Sequence, residues 1–202
     1  MLPPIYLLAG AISWPLIGLP FRLRARGREK LPAGGFVLAS NHLSNLDPWP
    51  LGLPLYPRRQ VRFMAKSELF NPVLGPLIRA SGSFPVRRGA GDLEAIQTAV
   101  DLVRDGEIVV MFPEGTRRGK GLRKKHQARP HTGAARIALA AEAPLVPAAI
   151  KGTDRNARLG PWRVAYGDPV PLDDLRGQEI KRASREATDR LMAAIGALEA
   201  TL

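Results

Sequence analysis

An α/β domain with a mixed, largely parallel sheet flanked by helices is the fold this sequence predicts, and three observations carry it. Short, largely apolar segments recur at residues 36–40, 61–65, 108–112, 146–150 and 162–166, each the length of a strand. Segments with apolar residues at helical spacing lie between several of them, so strands alternate with helices. A chain of 202 residues with 45% apolar content can bury one substantial core, which makes a single domain the economical reading.

The elements follow in order. Residues 2–21 form an uncharged apolar stretch, nominally long enough to cross a bilayer. Pro3, Pro4, Pro15 and Pro20 interrupt it, and Pro15 would kink a helix at a cost of about 3 kcal/mol in water, less in a membrane. The expectation is a bent, membrane-associating segment at 1–21 ahead of a catalytic-sized domain at 22–202. A secretory signal is disfavoured because no basic region precedes the apolar core. Arg22, Arg24, Arg26, Arg28 and Lys30 come next, a juxtamembrane basic cluster of the kind that marks the cytoplasmic side and attracts anionic lipid. The localisation expected is therefore the cytoplasmic face of the cell membrane, monotopic or peripheral.

The run Phe36-Val37-Leu38-Ala39-Ser40 reads as a buried strand and Val61-Arg62-Phe63-Met64-Ala65 as a second. Between them, residues 49–56 are apolar but follow Pro48 and contain Pro50 and Pro54, so at most a short, broken helix entered at Pro48 is expected. Residues 67–80 are partly helical, interrupted at Pro72 and Pro76. Asp92 is the N-cap of a helix carrying Leu93, Ile96, Val100 and Val103 on one face, and Gly106 stops it. A strand at 108–112 follows, then an alanine-rich helix over Gly133–Ala141, strands at 146–150 and 162–166, and an amphipathic helix over 178–202.

Composition narrows the chemistry. No cysteine means no disulfide, thiolate metal site or cysteine nucleophile, and three scattered histidines argue against a zinc site, so no metal is expected. Lys and Arg number 30 against 18 Asp and Glu, a net charge of +12 that points to an anionic partner: nucleic acid, membrane or an acidic small substrate. A second basic cluster, Arg117, Arg118, Lys120, Arg123, Lys124, Lys125 and Arg129, crowds one loop. With three tryptophans, three tyrosines, six phenylalanines and no recognisable helix-turn-helix, nucleic acid is not the expected partner.

The residues that carry chemistry begin with Asn41-His42-Leu43-Ser44-Asn45-Leu46-Asp47, at the end of the first buried strand. It supplies a general base beside a carboxylate able to orient it, provided the loop turns helical at once and brings the two together. In isolation a turn histidine bonded to a nearby aspartate would look the same. Three further segments change the weight of the pair: Gly82-Ser83-Phe84-Pro85-Val86-Arg87-Arg88, Phe112-Pro113-Glu114-Gly115-Thr116-Arg117, and Val146-Pro147-Ala148-Ala149-Ile150-Lys151-Gly152-Thr153.

Together the four blocks resemble those of the glycerolipid acyltransferase superfamily, most closely the bacterial 1-acylglycerol-3-phosphate (lysophosphatidate) acyltransferases. The resemblance covers roughly residues 22–155 and includes Ala65-Lys66-Ser67-Glu68-Leu69-Phe70. Two departures stand out: Pro130-His131-Thr132-Gly133 lacks the basic residue that often precedes this glycine, and one N-terminal apolar segment is present where relatives have two.

The resemblance implies transfer of a fatty acyl group from a thioester on coenzyme A or acyl carrier protein to the sn-2 hydroxyl of lysophosphatidate, with no cofactor. His42 would be the base and Asp47 its orienter. Without a serine elbow of G-x-S-x-G type, direct attack by the acceptor hydroxyl is simpler than a covalent enzyme intermediate. By the family match Arg88 and Arg117 would bind the acceptor phosphate, with Arg87 adjacent, since guanidinium groups bind phosphate bidentately. Glu114 would bind the acceptor or organise the site, and Gly115 would permit a tight turn. Lys66, or backbone amides near the histidine, would serve the oxyanion. The fourth block would shape a strand and an acyl-facing wall, and the 117–129 loop would dock the acidic donor or phospholipid headgroups. Another lyso-lipid or glycerol-phosphate acceptor, or a non-catalytic basic protein binding nucleic acid or anionic membrane, are the alternatives.

Overall fold

A computed structural model describes residues 2–72, 75–80, 82–86, 93–116, 129–155 and 159–202. Helix α1 (Pro4–Ser13) opens the chain with proline in its first turn, where the missing N–H costs nothing. At Pro15 the helix widens instead of stopping. Residues Trp14–Gly18 form a π-helical turn in which the Leu19 N–H donates to the Trp14 carbonyl at 3.0 Å. A wider turn accommodates a residue that has no N–H and crowds the carbonyl one turn back. No helix among the described residues is long and apolar enough to cross a membrane.

The remaining elements are β1 (Arg24–Arg26), β2 (Phe36–Ser40), α2 (Pro48–Gly52), β3 (Val61–Lys66), α3 (Gly75–Ala80), β4 (Phe84–Val86), α4 (Leu93–Arg104), β5 (Ile108–Met111), α5 (Gly133–Ala141), β6 (Leu145–Lys151), β7 (Arg163–Tyr166) and α6 (Ile180–Ala200). They form one sheet in the order β1-β7-β6-β2-β5-β3-β4. Five neighbouring strands, β6 to β4 in that order, run parallel, and β7 pairs antiparallel with β6, so the mixed, largely parallel sheet is as expected.

The core has two halves because β2 is covered on both faces. Val37 and Ala39 point toward Ala135, Ile137, Leu191 and Ile195 of α5 and α6, while Phe36 and Leu38 pack with Leu51, Leu55, Val110 and Tyr166. Alternate side chains point to opposite faces, so a strand covered twice must be apolar at every position. That is why residues 36–39 read as a continuous apolar run, with Ser40 at the end of the strand donating to the Asn41 side-chain oxygen.

The expected and observed elements differ where tertiary contacts decide. β1 and β4 are three residues each and were not expected; Arg-Ala-Arg and Phe-Pro-Val become strands only by pairing with β7 and β3. Residues 67–80 divide into a turn of 3-10 helix at Ser67–Leu69 and the short α3, as the prolines foretold. The proposed helix cap at Asp92 lies outside the described residues. The N-terminal segment is docked by one side. Tyr6 donates its hydroxyl to the Arg59 carbonyl at 3.2 Å, Tyr56 donates to the Leu7 carbonyl at 2.9 Å, and the Tyr56 ring lies against Gly10.

Candidate active site

In a parallel sheet the loops leaving the strands gather along one edge. The exits of β6, β2 and β5 are therefore neighbours, and they carry the fourth, first and third blocks respectively.

The first exit holds the histidine and aspartate. Residues 45–47 turn immediately and α2 begins at Pro48, so the loop does become helical as the pairing requires. His42 Nδ1 lies 2.7 Å from Asp47 Oδ2. The same oxygen accepts the backbone N–H groups of Leu43 at 2.7 Å and Ser44 at 3.0 Å, while Oδ1 accepts the Thr153 hydroxyl at 2.5 Å. Asp47 is fully buried, and a buried carboxylate is tolerable only when its lone pairs are met in this way. With Nδ1–H directed at a carboxylate, the Nε2 lone pair is the one free to take a proton. The imidazole keeps 15% of its side-chain surface exposed.

Phe112, just past β5, stacks on the imidazole with ring centroids 4.1 Å apart and planes 18° from parallel. The ring is thus held in its plane by an aromatic from the third block and along its axis by Asp47. Next in sequence, Glu114 and Gly115 lie in the turn that leaves β5. Gly115 has φ of +67°, and its N–H closes the turn onto the Phe112 carbonyl at 3.0 Å. A side chain there would be strained and would run into the imidazole of His131, whose backbone N–H donates to the Pro113 carbonyl at 2.8 Å.

Asn41 locks the loop to its neighbour. Its side-chain oxygen accepts the Ile150 N–H at 2.8 Å, and its amide donates to the Ile150 carbonyl at 2.9 Å and to Glu199 Oε1 of α6 at 2.9 Å. Histidine, carboxylate, aromatic and hydroxyl thus come from three adjacent strand exits.

Comparison with known proteins gives this arrangement a family. A family model described as acyltransferase matches residues 22–151. The 1-acyl-sn-glycerol-3-phosphate acyltransferase of Bacillus subtilis (strain 168) is 33% identical over 189 residues, covering 91% of this chain and 92% of its own. The chain belongs to the acyltransferase family. The lyso-ornithine lipid O-acyltransferase of Rhodobacter capsulatus is 31% identical over 103 residues, 50% of this chain and 34% of that protein. The crystal structure of the 1-acyl-sn-glycerophosphate (LPA) acyltransferase of Thermotoga maritima superposes with a TM-score of 0.62 at 22% identity, covering 97% of this chain and 79% of that one, which establishes the shared fold.

For this acyltransferase, the structure brings His42 and Asp47 into contact and sets Glu114 and Gly115 on the adjoining strand exit. Lys66 is the last residue of β3, the strand beyond β5; its side chain is outside the described structure. Arg87, Arg88 and Arg117 also lie outside the described residues, as does most of the basic 117–129 loop. Two of the amides nearest the histidine, those of Leu43 and Ser44, are directed at Asp47 and so are not free to bind an oxyanion.

Sequence reasoning missed four residues: Asn41, Phe112, Thr153 and His131. The fourth block does shape a strand, β6, whose Val146, Ala148, Ala149 and Ile150 are buried in the core. What that block delivers to the site is Thr153. The sequence signal was a hydroxyl residue at the end of an apolar strand, and its meaning depended on which strand lay next to it.

Proposed function

We propose that this acyltransferase moves a fatty acyl group from an acyl thioester, on coenzyme A or acyl carrier protein, to the sn-2 hydroxyl of lysophosphatidate to give phosphatidate. The observation that carries the reading is the His42 Nδ1 to Asp47 contact of 2.7 Å, which leaves Nε2 as the proton acceptor at the edge where the strand exits gather. The acceptor oxygen attacks the thioester carbonyl as Nε2 takes its proton. The tetrahedral oxyanion then collapses, the C–S bond breaks, and the departing thiolate takes the proton back from the imidazolium. Asp47 holds the tautomer and offsets the positive charge on the ring.

Arg88, Arg87 and Arg117 follow β4 and β5 in sequence and are assigned to the acceptor phosphate, Glu114 to the acceptor or to the order of those arginines, and Lys66 to the oxyanion. Arg88→Ala should then raise KM for the acceptor by roughly tenfold or more with a smaller change in kcat, the signature of lost ground-state binding. A fall in kcat alone would remove that assignment.

The membrane is the expected second partner. Ile5, Leu8, Ile12, Leu16 and Leu19 are all exposed and recur at intervals of three or four residues, so they form a stripe facing away from the side held by Tyr6 and Tyr56. The exposed Arg22, Arg24 and Arg26 come directly after it. An apolar stripe beside cations suits the interface of an anionic bilayer, and it supports a segment at 1–21 that lies in the cytoplasmic leaflet while 22–202 does the chemistry.

A lyso-aminolipid acceptor is the second reading, supported by the likeness to the lyso-ornithine lipid enzyme. Purified protein offered labelled acyl-CoA or acyl carrier protein with lysophosphatidate, glycerol-3-phosphate and lyso-ornithine lipid should form labelled phosphatidate. Transfer to lyso-ornithine lipid with none to lysophosphatidate would overturn the first reading in favour of the second.

A further inference from the structure

We infer that Thr153 is a positioning residue of the reaction: its hydroxyl sets the plane of the Asp47 carboxylate from which that carboxylate orients His42. The inference rests on His42 being the base.

Three of the bonds to Asp47 come from residues His42, Leu43 and Ser44 of its own loop, and all converge on Oδ2. A carboxylate pinned through one oxygen can still swing about the bond that carries it. Fixing the second oxygen defines the plane, and Oδ1 is held by Thr153 Oγ1 at 2.5 Å, from a residue 106 positions away in the chain. Thr153 and Asp47 are both fully buried, so bulk water has no open route to replace the hydroxyl if it is lost.

The surrounding chain delivers that hydroxyl in several independent ways. β6 lies parallel to β2 with Ser40 opposite Ala148, which puts the two exits side by side. Asn41, the residue before the base, clamps both the N–H and the carbonyl of Ile150. Gly152 then turns the backbone with φ of +97°, a conformation that glycine alone adopts without strain, and a side chain at that position would run into the Pro161 carbonyl. The next residue is Thr153. Loop and strand are thus joined once through the backbone clamp and once through the carboxylate itself. A threonine serving only to tie the loop down would be redundant with Asn41; a threonine that aligns the carboxylate is not.

The test is steady-state kinetics of the full-length protein with acyl-CoA and whichever acceptor of the panel the wild type acylates, comparing Thr153→Val, Thr153→Ala, Thr153→Ser and His42→Ala, each with its melting temperature. Valine keeps the shape and loses the donor, so kcat should fall roughly ten- to hundredfold. KM for both substrates should stay within about twofold, since substrate binding is not what the hydroxyl serves. Serine restores the donor and should recover kcat to within about threefold of wild type. Alanine gives the same comparison should valine disturb folding. Wild-type kcat in folded Thr153→Val or Thr153→Ala, a loss expressed mainly in KM, or a serine variant as slow as the valine one would each overturn the inference. If His42→Ala is inactive while Thr153→Val is normal, this inference alone fails; if His42→Ala keeps its turnover, the assignment of the base fails with it.

Discussion

β2 and the N-terminal segment are both uncharged and apolar, and they meet opposite fates. Every residue of β2 is buried, whereas Leu8, Leu16 and Leu19 are 61%, 68% and 71% exposed. The difference is what each has for neighbours. β2 lies between β6 and β5 in the middle of the sheet with side chains packed over both faces, while α1 is held on one side by a pair of tyrosines. An apolar run in the sheet finds its partners within the chain; the apolar run at the periphery keeps one side exposed. The same contrast holds for polar groups. Asp47, at the end of the loop that β2 feeds, is wholly buried with both oxygens bonded, and the arginines after α1 are set in solvent.

The contrast can be broken from either side, and the largest effect is expected at the buried end. Asp47→Asn should lower kcat by roughly 10³- to 10⁴-fold, because an amide cannot hold the tautomer that leaves Nε2 free. An Asp47→Asn enzyme within tenfold of wild type would show that the carboxylate is structural only. Leu38→Ala, in the fully buried strand, should destabilise by about 2–5 kcal/mol, a fall in melting temperature of roughly 5–15 °C for a chain of this size. Leu16→Asp, at the exposed end, should leave the melting temperature within about 2 °C. It should also weaken binding to vesicles containing anionic phospholipid by tenfold or more, since about 2 kcal/mol of apolar burial is lost. Unchanged vesicle binding would mean that the stripe faces something other than lipid.

The smallest effect is expected at Asp174, where hydrogen bonds from Arg190 hold the carboxyl below its ordinary range. A depressed carboxyl adds stability above its unfolded-state pKa, and that contribution disappears as pH falls through the folded-state value. Asp174→Asn should therefore melt slightly below wild type at neutral pH, by about 2 °C or less for so exposed a pair, and the gap should close below about pH 4. A gap that persisted in acid would point to packing in place of charge.

Much of the fold is legible in the sequence, for reasons that particular elements make plain. β2, β5 and β6 are apolar on both faces and so announce themselves as runs; α4, α5 and α6 announce themselves by period. β1 and β4 could not be seen, because three-residue strands owe their existence to β7 and β3 and not to their own side chains. Pro15 predicts an interruption, and the chain answers with a π-turn in place of a break. At the site, His42 and Asp47 were legible as a candidate pair by residue type and spacing, and it was the three further blocks that gave the pair its weight. Thr153 and Asn41 were not, since a hydroxyl and an amide become part of the machinery only once β6 is known to lie beside β2.

The central claim is that His42 removes the proton from the acceptor hydroxyl, and it is tested most directly by turnover of His42→Ala in the same vesicles and with the same substrates as wild type. The account predicts a loss of about 10³-fold or more with melting temperature and vesicle binding unchanged. A folded, membrane-bound His42→Ala protein that acylates the acceptor at the wild-type rate would contradict it.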